Sequence, residues 1–494
     1  MKEHCHPCGS FGESINLCNC VQIPTCPPFP VPLKSKVCSR CNNSVQNPSF
    51  EADLTSWEYD NVSIASGNTF EGTQVANIGP GVASLFQDVS LDKLFNSPLF
   101  LSFNVIAASE TTFNGNLVVE VLWLDAGHNV IATGLRLFIP SGRINANARI
   151  TYTDITDRPP ANAVWARLLF SKGSGESSDI IALDQVILTP VLTINLVQNP
   201  GFELGLTDWT TTTFTINNSY ALEGTAQAFV SGGVSTLLQD VPIRNLPRYS
   251  SFLFSFGAVS GNTATLIAQI FWLDAQDNQI GPPGLTISIP PDTLVTQINY
   301  LTYLDITGPA PAGAVKARIQ FTTDSVQSLS IDEVILARAA VTNLVQNAGF
   351  EDSLNNWAAV NAFAATSNNA YEGSWVARIG GDGGSLFQDV PIVRATGHCF
   401  IFNFGVGYSS REFGNFSGNL LAQVHWLDQY GRGIGIGVSL VIPGFALQNS
   451  QWMVYNAITE PAPPGAVTAR IQFAKSSSTD GILDIDKVVL GRLV

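Results

Sequence analysis

The chain has 494 residues, of which 45% are apolar and 13% charged, and its formal net charge is −15. This composition excludes a disordered chain and suggests about three domains of ordinary size. Residues 1–42 carry a net charge of +2, so residues 43–494 carry −17. Because an acidic surface repels phosphate groups, this charge disfavours binding to nucleic acids and to anionic membrane surfaces.

The N-terminal segment, residues 1–42, is rich in cysteine and proline. It begins without the apolar stretch of a secretory signal peptide, and no later segment reaches about 18 consecutive apolar residues. We therefore expect no membrane insertion, and a spore or cell surface location reached without a signal peptide. The proline content predicts an extended or disordered arm rather than a folded domain.

Seven of the eight cysteines lie in this arm, and their odd number favours disulfide bonds between chains. A zinc site or an intrachain disulfide knot is the alternative. The remaining cysteine, Cys399, is expected to be a buried free thiol. The two possible disulfide routes between subunits are from arm to arm and from an arm to Cys399. The predicted disulfide-forming residues are Cys5, Cys8, Cys18, Cys20, Cys26, Cys38 and Cys41.

Residues 43–494 consist of three copies of one repeat of about 150 residues. An Asn-x-Val-Gln-Asn-x-x-Phe-Glu motif opens each copy at residues 43–51, 195–203 and 343–351. A Trp, a Glu-Gly pair and a Leu-x-Gln-Asp-Val segment follow in the same order each time. A repeat of this length is a whole domain, which predicts domains at 43–192, 193–340 and 341–494. Their short connections predict closely coupled neighbours.

Two later motifs predict strands because apolar residues alternate with others along them. In the first, Val119, Val121 and Trp123 share the face that stays apolar in all three copies. In the second, Ala166 and Leu168 point one way and Arg167 the other. Short alternating strands between Gly, Pro and Asn turns, without helical periodicity, predict an all-β fold of antiparallel β-sandwiches.

The repeats resemble the jelly-roll domains of carbohydrate-binding modules of the galactose-binding-like kind. The Asn-x-Val-x-Asn-x-x-Phe-Glu motif, the Trp, the Glu-Gly pair and a closing Ile-Asp-x-Val strand carry this resemblance. The Trp-Leu-Asp hairpin and the Ala-Arg strand are more particularly similar to the domain that precedes tandem repeats in surface proteins of spore-forming bacteria. The resemblance implies three tandem jelly rolls and covers residues 43–494.

It also implies a structural calcium site in each repeat, held by a first-strand Glu and a last-strand Asp. Two carboxylates completed by loop carbonyls suit a cation that takes six to eight oxygen ligands. The alternative is that each acid binds backbone N–H groups where the ends of the repeat meet. The residues concerned are Glu51, Asp184, Glu203, Asp332, Glu351 and Asp486.

A ligand site is expected on the variable face of the predicted strands, where amides, rings and an Arg coincide. The alternative is a face that meets solvent or another subunit, and we favour it. Repeat 1 offers a poorer set in Glu120, Leu122 and Arg167, while the invariant Trp57, Trp209 and Trp357 are expected in the core. The candidate ligand-binding residues are Gln269, Phe271, Arg318, Gln423, His425 and Arg470.

No catalytic constellation recurs in the three copies. The five His residues do not align, and the paired acids look like features of the fold rather than a glycosidase pair. We therefore predict a non-enzymatic, self-assembling structural protein of a spore coat, exosporium layer or appendage, cross-linked through its N-terminal cysteines. The alternative is an adhesin that binds carbohydrates through several weak sites.

Overall fold

The structure, a computed structural model, describes residues 42–92, 96–108, 115–146, 148–174, 179–261, 263–295, 300–324, 327–380, 383–409, 418–447, 451–476 and 481–494. The regular secondary structure of the described residues consists almost entirely of strands, which form six antiparallel sheets of five strands each. The predicted all-β class of antiparallel β-sandwiches is therefore confirmed. No helix in these residues is long and apolar enough to span a membrane.

Within the described residues, each repeat supplies ten strands. Repeat 1 contains β1 (Glu58–Asp60), β2 (Val62–Ala65), β3 (Val75–Ile78), β4 (Ala83–Ser90), β5 (Leu99–Ala107), β6 (Leu117–Leu124), β7 (Val130–Ile139), β8 (Ile150–Ile155), β9 (Trp165–Lys172) and β10 (Ile181–Pro190). Repeat 2 contains β11 (Thr210–Thr211), β12 (Thr215–Asn217), β13 (Gln227–Val230), β14 (Ser235–Pro242), β15 (Ser251–Val259), β16 (Leu266–Leu273), β17 (Leu285–Ile289), α1 (Pro291–Val295), β18 (Leu301–Ile306), β19 (Lys316–Thr323) and β20 (Leu329–Ala339). Repeat 3 contains β21 (Ala358–Val360), β22 (Ala362–Thr366), β23 (Trp375–Ile379), β24 (Ser385–Pro391), β25 (Ile401–Ser409), β26 (Asn419–Leu427), β27 (Gly433–Pro443), a 3₁₀ helix (Gly444–Ala446), β28 (Trp452–Ile458), β29 (Thr468–Lys475) and β30 (Ile482–Gly491).

The two sheets of a repeat have different environments. In repeat 1 the order β1-β4-β9-β6-β7 forms one sheet and β2-β3-β10-β5-β8 the other, and repeats 2 and 3 have the same order. Strands β4, β6 and β9 alternate between buried and half-buried residues, as predicted, so their sheet faces the core on one side only. We call it the outer sheet. Strands β5 and β10 are buried along their whole length, so the second, inner sheet is covered on both faces.

The invariant Trp lies in the core, as predicted. Trp57 is buried against Phe50, with ring centroids 5.3 Å apart, and its Nε1 donates a hydrogen bond to the backbone oxygen of Asn47 at 3.1 Å. The Asn47 side chain in turn donates to the backbone oxygen of Asp53 at 2.8 Å. The opening motif therefore folds as a turn that closes over the end of the sandwich. Trp209 and Trp357 have the same partners in their own repeats.

The three repeats contact one another in a closed cycle, at three equivalent junctions. At the first junction the N–H of Gly224 donates to the backbone oxygen of Phe138, at 2.7 Å. At the second junction Gly373 donates to Ser288, at 2.6 Å. At the third junction Gly72 donates to Val441, at 2.7 Å. The Glu-Gly loop of each repeat thus binds the edge strand β7, β17 or β27 of another repeat, which explains the strict recurrence of this pair.

A hydrophobic cluster joins all three repeats and covers the inner sheets. Strands β8, β18 and β28 contact each other there. The close coupling of neighbours expected from the short connections is present, and the contact between repeats 1 and 3 adds to it. The buried members of the cluster are Phe100, Ile155, Ile187, Val191, Leu253, Leu304, Ile306, Ile335, Ala337, Ala339, Ile401, Val489 and Leu493.

Cys399 differs from its prediction. It is buried, as expected, but it is disulfide-bonded rather than free. It is the only cysteine among the described residues, so its bonding partner lies outside them. Asn42, the first described residue, contacts it: the distance from Cys399 Sγ to Asn42 Oδ1 is 3.2 Å. The seven cysteines predicted to form disulfides lie outside the described residues.

Candidate functional site

The solvent side of each outer sheet, here called the outer face, carries the predicted ligand-binding residues. In repeat 2, Phe271 on β16 lies opposite Arg318 on β19, and Gln269 lies opposite Gln320. In repeat 3 the corresponding register places His425 opposite Arg470. The residues selected from the sequence therefore form two compact groups, one on each of two outer faces.

An Arg–Asp ion pair occupies the same position on all three outer faces. In each pair the guanidinium binds both carboxylate oxygens, which fixes the planes of both groups. The Asp comes from the recurrent Leu-x-Gln-Asp-Val segment, and its strand lies directly beside the strand of the Arg. The strand pattern predicted that the Arg faces outward. Its acidic partner was not predicted, although the Ala-Arg strand and the Leu-x-Gln-Asp-Val segment both recur in the sequence. The Nε–Oδ1 distance is 2.6 Å in Arg167–Asp88, Arg318–Asp240 and Arg470–Asp389.

The Arg167–Asp88 pair is ionised and partly open to solvent. At Asp88 partial burial opposes ionisation, but hydrogen bonds from Arg167 and His128 outweigh it and hold the pKa of this carboxyl below its usual value. The hydrogen bonds that Arg167 donates to Asp88 in turn raise the pKa of Arg167. Each pair thus presents a fixed, planar set of donors and acceptors next to solvent.

Repeat 1 has an aromatic outer face, although its sequence offered the poorer set of candidate ligand-binding residues. His128 lies in a turn, as its position beside Asn129 indicates, and its ring stacks on Trp165 with centroids 4.9 Å apart. Its Nδ1 is 2.7 Å from the Asp88 carboxylate. On the other side of the ion pair, the guanidinium of Arg167 lies 4.2 Å from the centre of the Phe86 ring. Trp165 stands inside the Ala-Val-Trp-Ala-Arg motif, so this signal was present in the sequence.

The outer face of repeat 2 combines one ring with amides. Phe271 is half-buried beside Arg318. Gln269 donates from Nε2 to the Thr286 hydroxyl at 3.2 Å. Lys316 forms an ion pair with Asp277 at the end of the face. Three kinds of hydrogen-bonding group therefore surround one ring.

Repeat 3 replaces the Phe with a histidine. His425 Nε2 is 3.1 Å from Gln423 Oε1, and Gln423 Nε2 donates to the Ser439 hydroxyl at 2.9 Å. Partial burial, aided by the charge of Arg470, lowers the pKa of His425, so the imidazole is neutral at pH 7. Ile436, opposite His425 on β27, is 54% exposed and adds an apolar surface.

The predicted calcium ligands lie on two sides of the Glu-Gly loop. Glu51 accepts hydrogen bonds from the backbone N–H of Thr73 and Gln74, at 2.8 and 2.7 Å. From the inner sheet, the buried Asp184 accepts the N–H of Phe70 at 2.8 Å. Burial raises the pKa of Asp184 well above its usual value.

The other two repeats share this arrangement. Glu203 and Glu351 accept backbone N–H groups just after their Glu-Gly pairs, and Asp332 and Asp486 accept them at the start of the same loops. Among the residues that the structure describes, no group of three or more His, Cys, Asp or Glu side chains is arranged to hold a metal ion. The hydrogen bonds found are those of the amide-binding alternative, and calcium stays a prediction.

No protein-family model and no curated protein matches the chain. Several solved structures do match. The tandem CBM22-1–CBM22-2 domain of Xyn10C from Paenibacillus barcinonensis is 14% identical over 59% of this chain and 96% of that one, with a TM-score of 0.24. TmCBM61, solved with β-1,4-galactotriose, is 17% identical over 30% of this chain and 98% of that one, with a TM-score of 0.24.

The enzymatically active domain of tailspike protein 4 from bacteriophage CBA120 also matches. It is 23% identical over 29% of this chain and has a TM-score of 0.25. The match spans only 21% of that domain. Carbohydrate-binding modules recur among the matching structures, as the resemblance found in the sequence predicts.

Proposed function

We propose that this protein is a non-enzymatic carbohydrate-binding protein with one weak site on each of its three outer faces. A single observation carries the proposal. The same bidentate Arg–Asp pair recurs on all three faces, each time next to a half-buried ring and, in repeats 2 and 3, an amide side chain.

This combination matches the two surfaces of a sugar ring. The C–H face of a pyranose packs on an aromatic or imidazole ring, as apolar groups do elsewhere. The hydroxyl groups at its edge each need a donor and an acceptor, and the ion pair and the Gln side chains offer both in fixed planes. Open faces of this kind bury little of a ligand, so single sites of about millimolar affinity are expected, with gains of about a hundredfold on a polymer that reaches several faces.

The proposal is tested by titration calorimetry and affinity gels with soluble polysaccharides, including xylan and β-1,4-galactan fragments. The test variant combines Trp165→Ala, Phe271→Ala and His425→Ala, which removes one ring from each outer face. We expect it to lose retention on any polymer that the wild-type protein binds. Equal retention of variant and wild type would contradict the proposal.

A matched control removes three apolar side chains elsewhere, one from each repeat. Val82, Val234 and Val393 are 66%, 75% and 81% exposed and lie outside the outer faces. The variant Val82→Ala, Val234→Ala, Val393→Ala should bind like the wild type. Assays of reducing-sugar release on the same polysaccharides should show no hydrolysis.

The second candidate function is a structural subunit of a spore surface layer, cross-linked through its N-terminal cysteines. What motivates it is the group of seven cysteines in residues 1–42, whose odd number leaves at least one thiol without a partner inside that segment. Electrophoresis with and without reductant tests it, together with a Cys399→Ser variant. Oligomers that disappear on reduction would support cross-linking between chains, and a monomer band under both conditions would contradict it.

A further inference from the structure

Repeat 2 contains a pocket that belongs neither to an outer face nor to a junction. It lies at one end of the outer sheet, between the loop that follows β14 and the loop that precedes β19. Its volume is about 280 Å³, and its lining includes the buried Phe252 and Ala310. Pockets for drug-sized ligands measure about 300–1,000 Å³, so this pocket suits a ligand of one ring or little more.

Two guanidinium groups line this pocket without an acidic partner. Arg244 and Arg248 are both exposed, and neither takes part in the ion pairs found among the described residues. The two segments that form the pocket, residues 243–252 and 310–315, contain no Asp or Glu. On the outer faces, by contrast, an Asp binds each recurrent Arg. The charges of the two pocket arginines are therefore available to a ligand.

Hydrogen bonds hold the loop that carries the two arginines. The N–H of Leu246 donates to the backbone oxygen of Ile243 at 3.0 Å, and the Ser250 hydroxyl donates to that of Pro247 at 2.7 Å. From the last inner strand, Arg338 donates through Nε to the same hydroxyl, at 3.0 Å. The pocket is thus formed before a ligand arrives, so ordering of the loop would take little from the affinity.

An aromatic side chain is part of the same pocket. Tyr249 lines it and is 62% exposed. Its backbone has φ 61°, a left-handed conformation that is uncommon for a bulky residue and that clusters at ligand sites. Pro247 and Pro311 add further apolar surface to the lining. The pocket therefore combines an exposed ring with two cations.

The loop after the fourth strand has a different length in repeat 2. In all three repeats the same backbone hydrogen bonds mark the start and the end of this loop. Between these bonds lie residues 92–98 in repeat 1, 244–251 in repeat 2 and 393–399 in repeat 3, so repeat 2 has one residue more.

The charges at the equivalent positions differ as well. The place of Arg244 is taken by Asp92 in repeat 1 and by Val393 in repeat 3. In the loop before β19, Gly308 stands where repeats 1 and 3 have Asp157 and Glu460. Repeat 2 thus has two cations and no acid here, whereas each of the other repeats has an acid. The pocket is a feature of one repeat and not of the common fold.

We propose that this pocket, here called the arginine pocket, binds an anionic sugar residue. The carboxylate or sulfate group of the sugar binds Arg244 and Arg248, and its ring packs on Tyr249. Guanidinium groups bind such oxyanions through paired, charge-assisted hydrogen bonds. The inference rests on the proposed function for the ligand being a sugar, and it adds a site of different specificity to the three outer faces.

The test is titration calorimetry of the full chain with galactose, galacturonate, galactose 6-sulfate and inorganic sulfate. We expect both anionic sugars to bind about tenfold more tightly than galactose, because each adds charge-assisted hydrogen bonds. The preference should fall at least about threefold between about 0.02 and 0.5 M NaCl, since exposed charges are screened. The anionic sugar that binds more tightly identifies the group that the pocket recognises.

Two results of this titration would overturn the proposal. One is equal behaviour of the three sugars, which would show that the pocket cations bind no ligand group. The other is inorganic sulfate that binds as tightly as galactose 6-sulfate, which would show that the sugar ring makes no contact of its own.

Three variants assign the binding to the pocket. Arg244→Gln with Arg248→Gln changes only exposed side chains and should abolish the preference for anionic sugars. The matched control, Arg394→Gln with Arg432→Gln, removes the same charge from exposed positions outside the pocket and should keep the preference. Tyr249→Ala should weaken both anionic sugars about fivefold and leave inorganic sulfate unchanged. A preference that persists in the first variant, or that disappears equally in the control, would overturn the proposal.

Failure here is distinguishable from failure of the outer-face sites. The pocket variants leave all outer-face rings in place, so their retention on neutral polysaccharides should equal that of the wild type. Retention without any preference for anionic sugars would overturn the arginine pocket alone. A preference for anionic sugars in a protein that no neutral polysaccharide retains would overturn the outer-face sites alone.

Discussion

The outer faces and the junctions of this protein differ in what the three repeats keep constant. On the outer faces the Arg–Asp pair is identical in each repeat, and the neighbouring rings vary between Trp, Phe and His. At the junctions the loop geometry is identical. The last inner strand of each repeat has a β-bulge just after its Asp, and the buried residue at the bulge varies between Gln185, Glu333 and Lys487. Each surface thus combines one fixed element with side chains that vary. The rings of the outer faces differ in type and in strand position, since Trp165 lies on β9 and Phe271 and His425 lie on β16 and β26.

The two regions differ in how much a substitution lowers the free energy of unfolding. An outer-face ring is partly in water, so its exchange changes stability little and alters what the face can contact. A bulged side chain is buried against acids, so a change of its charge alters the energy of a whole junction. We infer that the outer faces can vary at little cost in stability, whereas a change at a junction alters its strength.

The largest effect is expected from removing the buried cation. At the second junction Lys487 Nζ lies 2.7 Å from the Asp305 carboxylate and 3.5 Å from that of Glu372. Lys487→Ala leaves both acids without their partner, and the loss of one member of a buried pair costs about 3–5 kcal/mol. Chemical denaturation at pH 7 measures it. In the double variant with Asp305→Ala, most of this loss should be recovered. Without recovery, the ion pair would not be what holds the second junction.

The next effect tests the loop that all junctions share. Gly72 has φ +68°, and a Cβ there would stand 2.4 Å from Glu51 Oε1. Gly72→Ala should therefore cost about 3 kcal/mol, from backbone strain plus the displaced carboxylate. Gly81 has φ +76° with nothing within 4 Å of its Cβ position, so Gly81→Ala isolates the strain at about 1 kcal/mol. Equal losses in the two variants would contradict the tight packing of the loop.

These contrasts also show what the sequence could reveal. Strand alternation around Trp123 and the recurrent motifs were enough to predict β-sandwiches, because period-two burial is a local property. The core position of Trp57 followed in the same way. The partner of Arg167 was missed because Asp88 is close only through pairing of β4 with β9, which are far apart in the chain. The junctions were missed because Gln185, Glu333 and Lys487 look like ordinary surface residues unless the bulge that buries them is known.

A smaller effect is expected on the outer faces. Folding lowers the pKa of Asp88, so this carboxylate stabilises the folded state at pH values above its pKa in the unfolded chain. This contribution is lost as the pH falls below about 4. Asp88→Asn should cost about 0.5–1 kcal/mol at pH 7, since exposed pairs contribute little. Denaturant midpoints of the wild type and the variant, measured at pH 7 and at pH 3, give the stability cost at each pH. A cost that stays the same at pH 3 would show that the charge is not responsible.

The smallest effect is expected from calcium, which the acid pairs flanking each Glu-Gly loop were predicted to bind. Each pair already accepts N–H groups from the loop, as Glu51 does from Thr73 and Gln74. A cation would have to displace these bonds and find its remaining oxygen ligands in loop carbonyls, so we expect only about millimolar affinity. At a calcium concentration equal to Kd the native state gains about 0.4 kcal/mol per site, which raises Tm by a degree or two at most.

Differential scanning calorimetry in chelator and in 1–10 mM calcium (about Kd and above) measures the shift, and Glu51→Gln with Glu203→Gln and Glu351→Gln should remove it. A rise of many degrees would show that the loops hold tight calcium sites. An unchanged Tm would show that the acids bind only the backbone amides of the loop.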